Sequence, residues 1–246
     1  MALTPEQLHR HSRHILLKEI GGPGVQRLVS ASVSIVGAGA LGGPCAMYLA
    51  AAGVGRIELW DDDSVDRSNL QRQVQFTEAD TGRAKVDQLA DRLKAAAPDC
   101  EVVRRRRRWS EDEALWGRIL IDGTDNFETR FALNRVAHAS GRPLVSGAAT
   151  RWSGQVSVFA SGVEAGLPCY QCFVPQTPPD AEACEDVGVV GPVTGIIASH
   201  MALETVKLVT GAGRPLTGQV LIVDGLSGVS RAVKLRQDTD CPVCST

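Results

Sequence analysis

Apolar and polar positions along the chain predict helices and strands in alternation almost from the first residue. Thr4-Pro5-Glu6-Gln7 reads as a helix start: Thr4 caps, Pro5 fits the first turn and Gln7 reaches back. The helix carries Arg10, Arg13 and His14 into Ile15-Leu16-Leu17, and Gly21-Gly22-Pro23-Gly24 is expected to break it. Residues 31–36 predict a short strand that runs into Gly37-Ala38-Gly39-Ala40-Leu41-Gly42. A small-residue helix over 44–52 follows, ended by Gly53, and residues 56–60 form a second strand that stops at Asp61-Asp62-Asp63. Residues 83–97 are helical, with Pro98 as the stop. Strands at 101–103, 118–121 and 143–145 enclose a further helix over 127–140.

Strand, glycine loop, helix and strand in this order make a βαβ unit of Rossmann type, and continued alternation implies a parallel sheet. The character changes near Gly154. Residues 155–159 alternate polar and apolar, as a strand with one exposed face would. Residues 174–190 are Pro-rich and acidic and are expected to form a mobile loop; 193–209 predict a long helix; 219–223 and 229–235 predict a closing hairpin. With no internal repeat and no Gly/Ser linker, residues 1–246 read as one α/β domain. It has a mostly parallel sheet flanked by helices and an appended C-terminal antiparallel sheet.

Composition narrows the partners. Hydrophobic residues make up 43% of the 246, enough for a sizeable core. A net charge of -2 gives no reason to expect nucleic acid or an anionic membrane. There is no membrane-length apolar run and no signal-type leader, so the expected location is cytoplasmic. Seven cysteines in such a compartment point to metal or catalysis before disulfides.

Gly37, Gly39 and Gly42 form Gly-x-Gly-x-x-Gly between a strand and a helix, where backbone N–H groups can approach phosphates. Asp61 ends the next strand, at the place where a carboxylate binds ribose hydroxyls. NAD is the default ligand of such a site, so a dinucleotide oxidoreductase is one reading. The segment that follows favours a triphosphate, because Asn69, Arg72 and Lys85 bring polar and cationic groups to the phosphate-binding edge. Asp125, at the end of a later strand, is placed to hold magnesium beside phosphates, a reading favoured over the alternative that Asp125-Asn126 caps the next helix.

Cys169-x-x-Cys172 and Cys241-x-x-Cys244 make two knuckles suited to a closed tetrahedral zinc site, which would be structural. The pairs lie 69 residues apart, so spacing alone does not settle the pairing.

Taken in order, Val-Gly-Ala-Gly-Ala-Leu-Gly, Asp61-x-Asp63, Ser-Asn-Leu-Gln-Arg-Gln, Gly-x-x-Lys, Thr-Asp-Asn and the paired Cys-x-x-Cys resemble the MoeB/ThiF/HesA adenylyltransferases. These are bacterial relatives of ubiquitin-activating enzymes. The resemblance runs from about Arg10 to Cys244. It implies a homodimer that uses ATP and magnesium to adenylate the C-terminal glycine of a ubiquitin-like sulfur carrier. It divides the chain into a nucleotide-binding half near 10–150 and a carrier-binding and zinc half near 151–246. Matched by position, the ATP site comprises Gly37, Gly39, Gly42, Asp61, Asp63, Asn69, Arg72, Gln73, Lys85, Asp125 and Asn126. Arg13, otherwise an ordinary exposed helix arginine, matches the arginine that reaches into the partner subunit's site. Cys184 matches a cysteine implicated in sulfur handling or thioester formation, yet Glu182, Glu185 and Asp186 would raise its pKa and argue against high reactivity. Cys45 and Cys100 read as buried packing cysteines.

Arg104 to Arg108 read as a solvated strand end, or as a surface for an acidic partner, more readily than as a nucleic-acid patch. Trp116 and Trp152 have no assignable role. Adenylation of a modified tRNA base and a catalytically dead scaffold are further readings; the cysteine pairs, the lack of a broad basic face and the intact ATP-site set disfavour them. The carrier is ThiS-like or MoaD-like, since some motifs lean toward the thiamin branch and Ser146-Gly147-Ala148-Ala149 toward the molybdopterin branch. No sulfurtransferase extension follows Thr246, so a separate sulfurtransferase or cysteine desulfurase is expected as sulfur source.

Overall fold

The computed structural model describes residues 3–178 and 187–245. The N-terminal capping box forms as expected: the Gln7 N–H donates to the Thr4 hydroxyl, and the Gln7 side chain accepts from the Thr4 N–H. It starts α1 (Pro5–Arg10), which a break at His11 separates from α2 (Ser12–Ile15). The Gly21-Gly22-Pro23-Gly24 run does not end helical structure. It is the first turn of α3 (Gly21–Val29), where Pro23 is tolerated because the first four helical N–H groups have no intrahelical acceptor.

The predicted alternation follows as β1 (Ser32–Val36), α4 (Gly42–Ala52), β2 (Arg56–Trp60), α5 (Lys85–Ala96), β3 (Glu101–Arg105), β4 (Ile119–Asp122), α6 (Phe127–Ala139) and β5 (Leu144–Thr150). Then come β6 (Ser153–Phe159), α7 (Tyr170–Phe173), α8 (Gly191–Thr210), β7 (Gln219–Asp224) and β8 (Val229–Lys234). The strands form one sheet in the order β3-β2-β1-β4-β5-β6-β7-β8. Neighbours from β3 to β5 pair in parallel, and from β5 to β8 in antiparallel fashion.

Successive strand residues serve opposite faces, as the pleat dictates. In β4, Ile119 and Ile121 join the core built with α4, α5 and α8, while Leu120 joins a second core with α6, Trp60, Trp109 and Phe159. Helix α8 lies directly on β6: a methyl group at Gly154 would stand 2.4 Å from Ile197, so only glycine admits this approach. The expectation that residues 155–159 expose one face is overturned. Val156 to Phe159 are all buried, because β6 is an internal strand and even the Ser157 hydroxyl is enclosed, donating to the Gln219 carbonyl. No helix among the described residues is long and apolar enough to cross a membrane.

Candidate functional site

Strand order reverses between β1 and β4, and a cleft of about 330 Å³ opens there, at the C-terminal ends of the parallel strands. Such a switch point is where open α/β sheets bind ligands. The β1–α4 turn forms one wall. Gly37 has φ +94°, and a Cβ on it would meet the Gly123 carbonyl at 2.5 Å. Gly37 and Gly39 line the cleft, whereas Gly42 packs behind it against the Gly37 carbonyl. Gln75, buried under the turn, donates to the carbonyls of Ala38 and Gly39 at 3.1 and 3.0 Å and so fixes its shape.

Asp61 leaves β2 with both oxygens engaged, accepting the Ala38 N–H at 2.7 Å and the Asp63 N–H at 2.9 Å. Burial pushes its carboxyl above the usual range, against the opposing pull of Lys85 and the two N–H groups. Lys85 opens α5 with its side chain 7% exposed and pairs with the outer carboxylate of Asp63 at 2.8 Å. The buried side chain thereby has an acidic partner at the cleft wall. Arg72 donates to the Ser68 carbonyl at 3.3 Å and has no carboxylate partner among the described residues. Gln73 is 4% exposed, and its Oε1 has no hydrogen-bond partner among the described residues, an unmet acceptor on a ligand-sized cavity.

Asn69 stays off the lining. Its carbonyl accepts the N–H groups of Arg72 and Gln73 at 3.0 and 2.9 Å, so its backbone presents these two side chains. Of Asp125 and Asn126, the second takes the capping role. Asn126 caps α6, accepting the Thr129 N–H at 2.9 Å, and Asp125 stands exposed on the cleft with no hydrogen bond among the described residues. Arg13 lies exposed on α2, outside this cleft, and Cys184 lies outside the described residues.

Trp60, Trp109, Arg108, Thr124 and Arg130 also line the cleft and were not singled out as site residues by pattern. Position at a strand end was the available signal for Trp60 and Thr124. Trp109 and Arg108 gave none, because a Trp after an arginine run carries no positional code. The arginine run is not a free basic surface. Arg104 pairs with Asp87 and Asp91, Arg105 with Glu58, Arg106 with Asp87 and Arg107 with Glu113. Arg108 approaches Glu128 at 3.9 Å. Trp116 gains a place here too, with the guanidinium groups of Arg56 and Arg105 over its ring at 4.6 and 4.3 Å.

The four knuckle cysteines meet. Cys169 and Cys241 sulfurs are 3.5 Å apart, Cys172 and Cys244 3.3 Å, and Cys169 and Cys172 3.9 Å. A tetrahedral zinc with Zn–S near 2.3 Å requires sulfurs about 3.8 Å apart, so the donor set fits that ion. Further N–H groups point at the sulfurs, from Asn134 to Cys169 at 3.4 Å and from the Asp238 backbone to Cys172 at 3.4 Å. Burial pushes the Cys169 and Cys172 thiols up to about 11, so a metal is what would ionise them. Cys45 and Cys100 are buried, and burial raises both thiols, Cys100 to about 11, as suits inert packing residues.

The profile of the ThiF family matches residues 11–243. The chain is 39% identical over 252 residues to the sulfur carrier protein adenylyltransferase of Thermus thermophilus, covering 99% of this chain and 93% of that protein. It is 40% identical to the probable adenylyltransferase/sulfurtransferase MoeZ of Mycobacterium tuberculosis, over 98% of this chain and 63% of that one. Identity is also 40% to the adenylyltransferase and sulfurtransferase MOCS3-1 of Zea mays, over 99% and 53%. The chain thus spans about half the length of the MOCS3 relatives it matches. Among solved structures, E. coli MccB with MccA-N7isoASN superposes with a TM-score of 0.86 at 19% identity, over 97% of this chain and 75% of that one. MccB with ATP gives 0.82 at 20%, over 96% and 75%. At these identities the likeness establishes the fold.

Proposed function

The chain belongs to the ThiF family, and from that premise we propose that it adenylates the C-terminal glycine carboxylate of a ubiquitin-like sulfur carrier. One observation carries the reading: Arg72, Lys85 and Asp125 converge with the glycine turn on a single cleft at the switch point. The carrier carboxylate is ionised at neutral pH and needs no base. Its oxygen attacks the α-phosphorus of ATP, the bond to the bridging oxygen breaks, and pyrophosphate leaves with the electron pair. The obstacle is an anion approaching a polyanion, and the chain's answer is positioned cation. Lys85 can exchange Asp63 for a phosphate oxygen with little movement, and Arg72 is free of any carboxylate among the described residues. Asp61, its oxygens oriented by two N–H groups, faces the ribose. Magnesium, held by Asp125, would supply further neutralisation of phosphate charge when bound.

The four cysteines would hold zinc as a closed structural site. Arg13, remote from its own cleft, acts on the partner's cleft in a homodimer. The acyl-adenylate then passes to a sulfur nucleophile delivered by a sulfurtransferase or cysteine desulfurase, with Cys184 confined to this downstream step. The carrier is of ThiS or MoaD type, which places the product in thiamin or molybdopterin biosynthesis.

The test offers ThiS-like and MoaD-like carriers with ATP and follows pyrophosphate exchange and carrier mass. Arg72→Ala and Lys85→Ala should each lose on the order of 10²–10³ in exchange rate while remaining folded. Near-normal exchange in both would remove the ATP-site assignment.

A further inference from the structure

The turn from β4 into α6 runs Gly123-Thr124-Asp125 along the cleft. Its first residue is pinned by backbone. The Gly123 N–H donates to the Val36 carbonyl at 2.8 Å, and a Cβ on Gly123 would stand 2.8 Å from the Gly37 carbonyl and 2.9 Å from the Gly42 backbone. What remains to be set is the course of the chain through Thr124 to Asp125.

A buried ion pair sets it. Asp122, the last residue of β4, is fully buried and lies outside the cleft lining. Its carboxylate accepts the Thr124 N–H at 3.0 Å and the hydroxyls of Thr124 and Ser146 at 2.7 and 2.6 Å. Ser146 stands opposite Asp122 in register on β5, also buried and outside the lining. Arg130 enters from α6, 7% exposed. Its guanidinium pairs with Asp122 at 3.2 Å, donates to the Thr124 carbonyl at 2.5 Å and meets the Ser146 hydroxyl at 3.4 Å. Thr124 is thus gripped by its N–H, its hydroxyl and its carbonyl.

Stability alone is a poor reason for such a pair. Two desolvated charges often stabilise a fold no more than an apolar pair of the same volume. The geometry gives a better one. The residue they grip is followed directly by Asp125, whose exposed carboxylate lines the cleft and makes no hydrogen bond among the described residues. A side chain that no local bond orients takes its place from its backbone, and Arg130 and Asp122 fix that backbone.

We propose that Arg130 and Asp122 are a positioning pair: supported by Ser146, they hold the Thr124–Asp125 turn so that the Asp125 carboxylate meets the metal–phosphate part of the nucleotide. The inference rests on the reading of the cleft as an ATP site with Asp125 as its magnesium ligand.

A double-mutant cycle on the full chain is the test. ATP with magnesium is titrated into the wild type, Arg130→Lys, Asp125→Ala and the double variant, followed by tryptophan fluorescence, since Trp60 and Trp109 line the cleft. Lysine keeps a charge beside Asp122 but lacks the planar fork that reaches Asp122, Thr124 and Ser146 together. Arg130→Lys should raise the Kd about 10–100-fold, as loss of a group that orients a metal ligand does. Once Asp125 is alanine the same substitution should add almost nothing, because two residues on one route are not additive. Ser146→Ala is the milder second variant, and it should give a smaller rise that also vanishes in the Asp125→Ala background. A merely structural pair would lower the melting temperature of these variants and leave the Kd alone. An unchanged Kd in Arg130→Lys and Ser146→Ala overturns the proposal, and so do penalties that add in full to that of Asp125→Ala. A wild-type chain that binds no ATP overturns the cleft reading and the proposal with it. An Asp125→Ala chain that binds ATP with magnesium as tightly as wild type does the same for the magnesium reading.

Discussion

Asp80 ends the turn Glu78–Asp80 that delivers the chain to Lys85, and its carboxylate accepts the Thr77 N–H and hydroxyl at 2.7 and 2.8 Å and pairs with Arg92. Burial would push this carboxyl up, but the Thr77 and Arg92 bonds outweigh it and hold it below the usual range. A depressed folded-state pKa gives stability that is present above the unfolded value, about 3.9, and is lost as pH falls through the folded one. Asp80→Asn should therefore cost about 1–3 kcal/mol at neutral pH. The gap to wild type should close in strong acid, as read by denaturant unfolding at each pH; a gap that persists there would mean the charge is not its source. Asp61 has the opposite sign. Its raised pKa gives stability that is present below the unfolded value and lost as pH rises through the folded one, so its ionised form at neutral pH opposes the fold. Such a cost is what the proposed ribose-binding role of Asp61 would carry. At this scale the strand-end and motif residues were legible in the sequence, because a βα unit fixes where they emerge. Arg130 was not, since its meaning lies in Asp122 and Thr124, which only the tertiary structure brings to it. Nor were the partners of the arginine run, which come from α5, β2 and the 110–114 turn.

Elements were legible where a local rule decides them. The capping box before α1, the left-handed Gly53 after α4 and the stop at Pro98 all act within a few residues. The misreadings arose where position in the whole decides: the glycine-proline run became a helix start, and β6, read as having one exposed face, is enclosed between β5 and β7 with α8 packed on it. The short α7 and the C-terminal knuckle belong to this scale as well. Cys241, 1% exposed, contributes one of four converging sulfurs. Metal analysis should find close to one zinc per chain, and Cys241→Ser should lose it together with thermal stability, because metal binding to four thiolates is folding free energy. A metal-free wild-type chain of undiminished stability would sink the zinc assignment.

At the scale of the molecule, the strand order places every cleft residue at one end of the parallel strands, and this leaves Arg13 on α2 without a role in its own cleft. If the arginine serves a partner, defects in two different chains can complement. Mixing Arg13→Ala with Lys85→Ala should restore part of the pyrophosphate exchange, because one of the two sites in a mixed dimer is then intact. A verified mixed dimer with no recovery would count against the exchanged arginine. The cleft could be anticipated from order alone, whereas the partner's contribution is a property of a surface.

The eight strands share one unbroken ladder in which β4, β5 and β6 hydrogen-bond in sequence across the change from parallel to antiparallel, with α8 packed over both β5 and β6. Among the described residues there is no seam along which the two halves could come apart at lower cost than by losing the whole sheet. Heating should therefore produce one cooperative transition, with calorimetric and van't Hoff enthalpies in agreement, although the chain is longer than most that melt in this way. Two resolved heat-absorption peaks, one for each half, would show that the ladder does not bind the halves together. The continuous ladder also forbids a division of labour by scission: a fragment ending at the β5–β6 turn would expose the paired edge of β5 and should not hold its shape alone.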